Sequence, residues 1–112
     1  MERRQYVEAE SEWRRLVGLG SDPRLELSVR FNLALSIQRQ DRDQDAVEAW
    51  DAYLALNPEN PRAHFNRGLA LERSGDTSGA LESYRQALEF DPEHTASRTR
   101  VDRLMASESG SP

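Results

Sequence analysis

The chain has no cysteine and no lysine. Without cysteine there is no disulfide framework, thiolate zinc site, Cys-x-x-Cys redox pair or cysteine nucleophile. All fifteen basic residues are Arg. A GC-rich coding sequence accounts for that bias, although Arg also suits forked recognition of carboxylates. No apolar run approaches the roughly 18–20 residues that a bilayer demands, so no membrane span is expected. The opening Met1-Glu2-Arg3-Arg4-Gln5 leads into Tyr6-Val7-Glu8-Ala9-Glu10, which is no apolar leader core. A secretory signal is therefore not expected, and the location expected is cytoplasmic. Aromatic residues are scarce, at 7%, and apolar residues reach only 37% against 31% charged. So lean a core in 112 residues suits a single elongated helical or repeat domain better than a sphere. Twenty acids against fifteen bases, a net −5, argue against a general nucleic-acid binder.

What is present is a repeat. Sliding the chain by 34 residues aligns Leu27–Asn60 with Pro61–His94 without a gap. Nine pairs are identical, among them Phe31/Phe65, Asn32/Asn66, Leu35/Leu69, Arg39/Arg73, Ala46/Ala80 and Pro58/Pro92. Pairs such as Ile37/Leu71 and Trp50/Tyr84 are conservative. Each unit reads as two helices. In the first, Leu33, Ala34 and Ile37 have helical spacing, Asp41–Asp45 interrupts it, and Ala46, Val47, Trp50, Tyr53 and Leu54 resume it. Pro61 fits the first turn of a helix capped by Asn60, and Asp22 with Pro23 has the same form. Small residues at Ala34, Gly68, Ala46 and Ala80 let two antiparallel helices approach, while Trp50 and Tyr84 supply bulk.

This pattern resembles the tetratricopeptide repeat family. With position 1 at Leu27 and at Pro61, the family's positions 8, 11, 20, 24, 27 and 32 hold Ala34, Ile37, Ala46, Trp50, Tyr53 and Pro58. In the second unit they hold Gly68, Leu71, Ala80, Tyr84, Ala87 and Pro92. Departures are Arg30 and His64 at position 4, Arg67 at 7, Asp41 for the turn Gly at 15, and Tyr53 for Ala at 27. The resemblance implies an all-α, right-handed α-solenoid of helix–turn–helix repeats. Ala9, Trp13 and Leu16 have the spacing of positions 20, 24 and 27, so residues 2–18 read as a lone second helix. Repeats follow over 27–60 and 61–94, then a capping helix over 95–106 and a frayed tail over 107–112. The expectation is one domain over 1–106. Arg67 is expected to be partly buried, with its head reaching an acid or water.

Catalytic and metal motifs were sought and are weak. Asp41-x-Asp43-x-Asp45 starts like a calcium loop, but the places needing Gly and a bidentate Glu hold Ala46 and Ala52. These acids are expected to form a solvated turn that caps the next helix. The two histidines, His64 and His94, lack the spacing of a zinc site. No Gly-x-Ser-x-Gly elbow is present. No catalytic residue, metal or cofactor is assigned.

That leaves recognition. The family's first helices line a concave groove through positions 2, 5, 6, 9, 12 and 13. Carried over, these are Ser28, Phe31, Asn32, Leu35, Gln38 and Arg39, then Arg62, Phe65, Asn66, Leu69, Glu72 and Arg73, with Thr99, Arg100 and Arg103 from the capping helix. The set joins an apolar stripe of Phe31, Leu35, Phe65 and Leu69 to five Arg and one acid, in a chain of net −5. Such a field favours anionic ligands. Asn32 and Asn66 carry amides able to clamp an extended backbone. The implied function is a non-catalytic scaffold or adaptor that binds an acidic, partly apolar segment of another protein. Two alternatives stand beside it. Phe and Leu on a helix also serve as core, and the N-terminal helix could fill the groove. A structural role in homo-oligomerisation, without a peptide ligand, is the rival function.

Overall fold

A computed structural model describes residues 3–17, 19 and 22–109. The fold is all-α, made of helix–turn–helix repeats of the kind that build solenoids, with no strand among the described residues. The helices are α1 Arg3–Leu16, α2 Pro23–Gln38, α3 Asp43–Leu56, α4 Pro61–Arg73, α5 Thr77–Phe90 and α6 Thr95–Ser109. The chain divides into two compact units, Met1–Pro58 and Glu59–Pro112, where one domain was expected. The division falls at the junction between the two 34-residue repeats.

Helix starts follow local chemistry. Asp22 caps α2, its carboxylate accepting from the Arg24 N–H at 3.0 Å, with Pro23 in the first turn. Asn60 caps α4 through the Arg62 and Ala63 N–H groups, with Pro61 behind it. Asp76 caps α5 through the Gly79 N–H at 2.9 Å. Each such cap satisfies a donor the helix itself leaves unpaired and contributes about 1 kcal/mol. The acids before α3 do not cap it. Arg42 holds the cap position without a side-chain bond, while Asp43 and Asp45 lie in the first turn. There their charge complements the positive end of the helix dipole.

The turns inside the two repeats use the same backbone device with different residues. Gly75 has φ +94°, and Asp41, at the same repeat position, has φ +60°. Around Gly75 the Asp76 N–H reaches the Leu71 carbonyl and the Gly75 N–H reaches that of Glu72. This is the Schellman closure that a left-handed residue permits. Asp tolerates that conformation better than most residues but less well than glycine.

In the first unit α2 packs on α1 and on α3. Its core holds Val29, Leu33, Ala34 and Ile37 of α2 against Ala46, Trp50 and Tyr53 of α3. Phe31 meets the rings of Trp50 and Tyr53 edge-on, at 4.9 and 5.4 Å. In the second unit Ala63, Ala70 and Leu71 of α4 meet Ala80, Leu81, Tyr84 and Ala87 of α5, and α6 packs on α5. Ala34, Ala46 and Ala80 are wholly buried and Gly68 is buried. Gly68 lies so close to Tyr84 that a Cβ there would sit 2.5 Å from a ring carbon.

Two boundaries differ from expectation. α2 begins at Pro23, because the Asp22 cap extends it a turn before Leu27. α6 runs to Ser109, three residues into the stretch expected as a frayed tail. Residues 110–112 lie outside those described.

Candidate functional site

One hydrogen bond recurs in both units. The Trp50 indole N–H donates to Gln38 Oε1 at 2.7 Å. The Tyr84 hydroxyl donates to Glu72 Oε1, also at 2.7 Å. Donors and acceptors each lie 34 residues apart. The repeat thus places a polar handle on a fully buried aromatic and gives it an acceptor on the facing helix, as a buried N–H or O–H requires. Burial, then the Glu72 hydrogen bond and charge, raise the Tyr84 phenol well above its ordinary pKa. Arg100 and Arg103 pull it the other way. Gln38 and Glu72, assigned to the groove by resemblance, are thereby tied to the core aromatics. Glu72 also meets Arg100 at 3.6 Å.

In the first unit the structure brings Asn32, Leu35 and Arg39 together. They line a cleft of about 210 Å³ whose other wall is Tyr6, Ala9 and Trp13 of α1. Arg39 donates to the Tyr6 hydroxyl at 3.3 Å, and its guanidinium lies 5.7 Å from the ring centre. Phe31 does not line this cleft; its ring belongs to the Trp50–Tyr53 cluster. Ser28 is exposed.

In the second unit Arg62, Phe65, Asn66, Leu69 and Arg73 fall at i, i+3, i+4, i+7 and i+11 of α4, which is one helical face. Arg62 and Arg73 are exposed; Phe65, Asn66 and Leu69 are half-buried. The Phe65 ring lies 5.7 Å from Tyr84 and 5.3 Å from His94. On α6, Arg103 and Thr99 are exposed and Arg100 is half-buried.

Sequence reasoning missed a polar network in the first unit. The Glu10 carboxylate is nearly buried and accepts from Arg42 at 2.6 Å, Gln40 at 2.9 Å and Arg14 at 2.9 Å. Burial pushes this carboxyl up, but the hydrogen bonds from Gln40, Arg42 and Arg14, with the charge of Arg42, leave it below its ordinary value. The network ties α1 to the turn between α2 and α3. The one signal in the sequence was an acid beside Ala9 on an otherwise apolar stripe. A larger cavity of about 550 Å³, lined in part by Arg14, Arg30 and Arg42, is electrostatically answered from within. Arg14 pairs with Glu10, Arg30 with Glu26, and Arg42 with Glu10 and Asp45.

Arg67 is half-buried as expected, but its Nη1 donates to Ser83 Oγ at 2.7 Å, a hydroxyl rather than an acid or water. The matching places of the first repeat are Leu33 and Ala49, so a polar pair stands where its sister has an apolar one. His64 stacks on Phe90 with centroids 5.7 Å apart. His94 Nδ1 and Ser97 Oγ lie 2.8 Å apart, and the Ser97 N–H also donates to that nitrogen. Ser97 is wholly buried at the start of α6, so this contact caps a helix and presents no nucleophile. Among the described residues no group of three or more His, Asp or Glu is placed to hold a metal ion. No described helix is long and apolar enough to cross a membrane.

Paired antiparallel helices with a conserved internal handle, and two faces rich in Arg, define a helical repeat protein. The tetratricopeptide repeat family model matches residues 31–95, and the chain belongs to the tetratricopeptide repeat family. It is similar to tetratricopeptide repeat protein 36 of Xenopus tropicalis, at 36% identity over 77 residues, covering 58% of this chain and 38% of that protein. It is also similar to the uncharacterised protein y4yS of Sinorhizobium fredii, at 34% identity over 70 residues, covering 62% and 37%. The chain thus spans less than two-fifths of either relative. Repeats of this family generally mediate protein–protein interaction and are typically non-catalytic.

Proposed function

We propose that this chain is a non-catalytic adaptor that binds an acidic, partly apolar segment of another protein. The observation that carries the reading is the α4 face of the second unit. Phe65 and Leu69 form an apolar centre, Asn66 sits between them, and Arg62 and Arg73 border it at either end. Arg100 and Arg103 on α6 add positive charge near Tyr84. Cations around an apolar centre fit a ligand that alternates acids with aliphatic or aromatic side chains. In the first unit Asn32, Leu35 and Arg39 offer the same chemistry on α2. A cytoplasmic location belongs to this proposal and is checked by cell fractionation.

Fluorescence anisotropy with a labelled acidic–apolar peptide tests the ligand class. Binding should weaken as salt rises, because exposed charges are screened beyond roughly 8 Å at physiological ionic strength. Arg62→Glu with Arg103→Glu should abolish it. These two are preferable to Arg100, whose reversal would set a carboxylate against Glu72. Some family members clamp a terminal Glu-Glu-Val-Asp carboxylate. Here the corresponding places hold Phe31, Leu35, Asn66, Ala96 and Arg100, so only the last Asn and Arg match. A Glu-Glu-Val-Asp peptide should therefore bind poorly. Micromolar binding of that tail, or a preference for basic peptides, would overturn the assignment.

A further inference from the structure

The second helices of the two repeats present the same three positions to their partners. Ala46, Trp50 and Tyr53 on α3 are at most 4% exposed, and Ala80, Tyr84 and Ala87 on α5 are wholly buried. What seals them is the first helix of the same repeat. That helix sets a small residue near the aromatic and an acceptor four residues on: Ala34 with Gln38, Gly68 with Glu72. α1 carries the triplet a third time, as Ala9, Trp13 and Leu16 with the same i, i+4, i+7 spacing. Here the triplet is not sealed. Ala9 and Trp13 are half-buried and Leu16 is exposed. The Trp13 indole N–H makes no hydrogen bond among the described residues, unlike those of Trp50 and Tyr84. Ala9 and Trp13 instead wall the cleft against Asn32, Leu35 and Arg39.

We propose that this cleft receives one helix of a partner protein, which completes α1 as a repeat. The partner helix carries Ala or Gly opposite Trp13 and, four residues on, Gln or Glu that accepts the Trp13 indole N–H. Its border is acidic, because Arg39 at the rim is bound to Tyr6 and pairs with no carboxylate among the described residues. A second copy of the chain is a poor occupant. Within the helices, the small-then-acceptor pattern occurs only in α2 and α4 when small means Ala or Gly, and both are already packed in their own repeats. The inference rests on reading the chain as an interaction module, but it uses the first unit alone.

The test uses the whole chain labelled with 15N and a synthetic peptide of α4 sequence, residues 61–73, as the probe helix. The indole signals of Trp13 and Trp50 are assigned with Trp13→Phe. The expected result is a saturable shift of the Trp13 indole signal and slowed exchange of its proton, with Trp50 unmoved. A peptide with Gly68→Leu should bind about tenfold or more weakly, as overfilling a packed contact predicts. The Arg62→Glu/Arg103→Glu chain should bind the helix normally while losing the acidic–apolar peptide. Helix binding in a wild-type chain that ignores that peptide would uphold this inference and remove the ligand class proposed above. No shift at Trp13, equal binding of the Gly68→Leu peptide, or a shift at Trp50 alone would overturn it. So would a Trp13 shift on concentrating the chain alone with a dimer mass in light scattering, since the occupant would then be a second copy.

Discussion

Gly68→Ala sets two effects against each other, and the structure decides the sign. Alanine in a helix interior is favoured over glycine by about 1 kcal/mol. Against that, the new Cβ would lie 2.5, 2.7 and 3.0 Å from Cε1, Cδ1 and Cζ of Tyr84, where ordinary contact begins at 3.4 Å. The ring has little freedom to give way. It is fully buried, its hydroxyl is held by Glu72 at 2.7 Å, and Phe65 packs 5.7 Å from it. Overfilling a core of this kind costs about 1–3 kcal/mol, and the severity of the overlap places this case at the upper end. The net expectation is destabilisation by about 1–2 kcal/mol, a fall in Tm of roughly 4–10 °C for a chain this small. Thermal melts by circular dichroism and urea titrations read it. In the Tyr84→Leu background, where the clashing ring is gone, Gly68→Ala should become neutral or stabilising, giving a coupling of about 1 kcal/mol or more. A raised Tm for Gly68→Ala in the otherwise native chain would refute the close-approach argument, because propensity alone would then govern the site.

The Arg67–Ser83 pair gives a second expectation. Arg67→Leu should destabilise by about 1–3 kcal/mol, because it strands the buried Ser83 hydroxyl, whereas Arg67→Leu with Ser83→Ala should recover most of the loss by copying Leu33 and Ala49; urea midpoints compare the two. At the turns, Gly75→Ala should cost about 1–2 kcal/mol and Asp41→Gly should gain up to about 1 kcal/mol, since both positions have positive φ. Glu10 predicts a pH effect. Its folded pKa is below the model value of 4.5, so its contribution is fully present above that value and is lost as pH falls through the lowered folded pKa. Stability measured by denaturant titration from pH 6 downward should therefore fall less steeply below about pH 4.5 in Glu10→Gln than in the native chain.

The repeat frame was legible because it rests on local chemistry that recurs. The caps Asp22 and Asn60, the prolines behind them, and the small-residue contacts at Ala34, Gly68 and Ala80 all follow from spacing and side-chain size. What was not legible depends on three-dimensional partners. Glu10 finds Gln40 and Arg42 thirty or more residues away, and no periodicity announces that meeting. Gln38 and Glu72 look like surface polar residues until the indole and phenol donors reach them. Phe31 occupied an expected groove position, yet the first repeat has Tyr53 where the second has Ala87, and the larger neighbour draws the Phe31 ring into its aromatic cluster. Arg39 was read correctly as exposed, but its contact with Tyr6 depends on how α1 lies along α2. The tail boundary was missed because polar, small residues at 107–109 continue a helix already started, which propensity alone does not foretell.

The central claim is that the Arg-bordered apolar face of α4 and α6 takes an acidic–apolar segment. Its most direct measurement is backbone amide chemical-shift mapping on the 15N-labelled whole chain during titration with such a peptide. The account predicts saturable shifts at Phe65, Asn66, Leu69, Arg73, Arg100 and Arg103, and their loss in Arg62→Glu/Arg103→Glu. Shifts confined to the exposed positions of α5, such as Glu82, Arg85 and Glu89, or no shift at millimolar peptide, would contradict it.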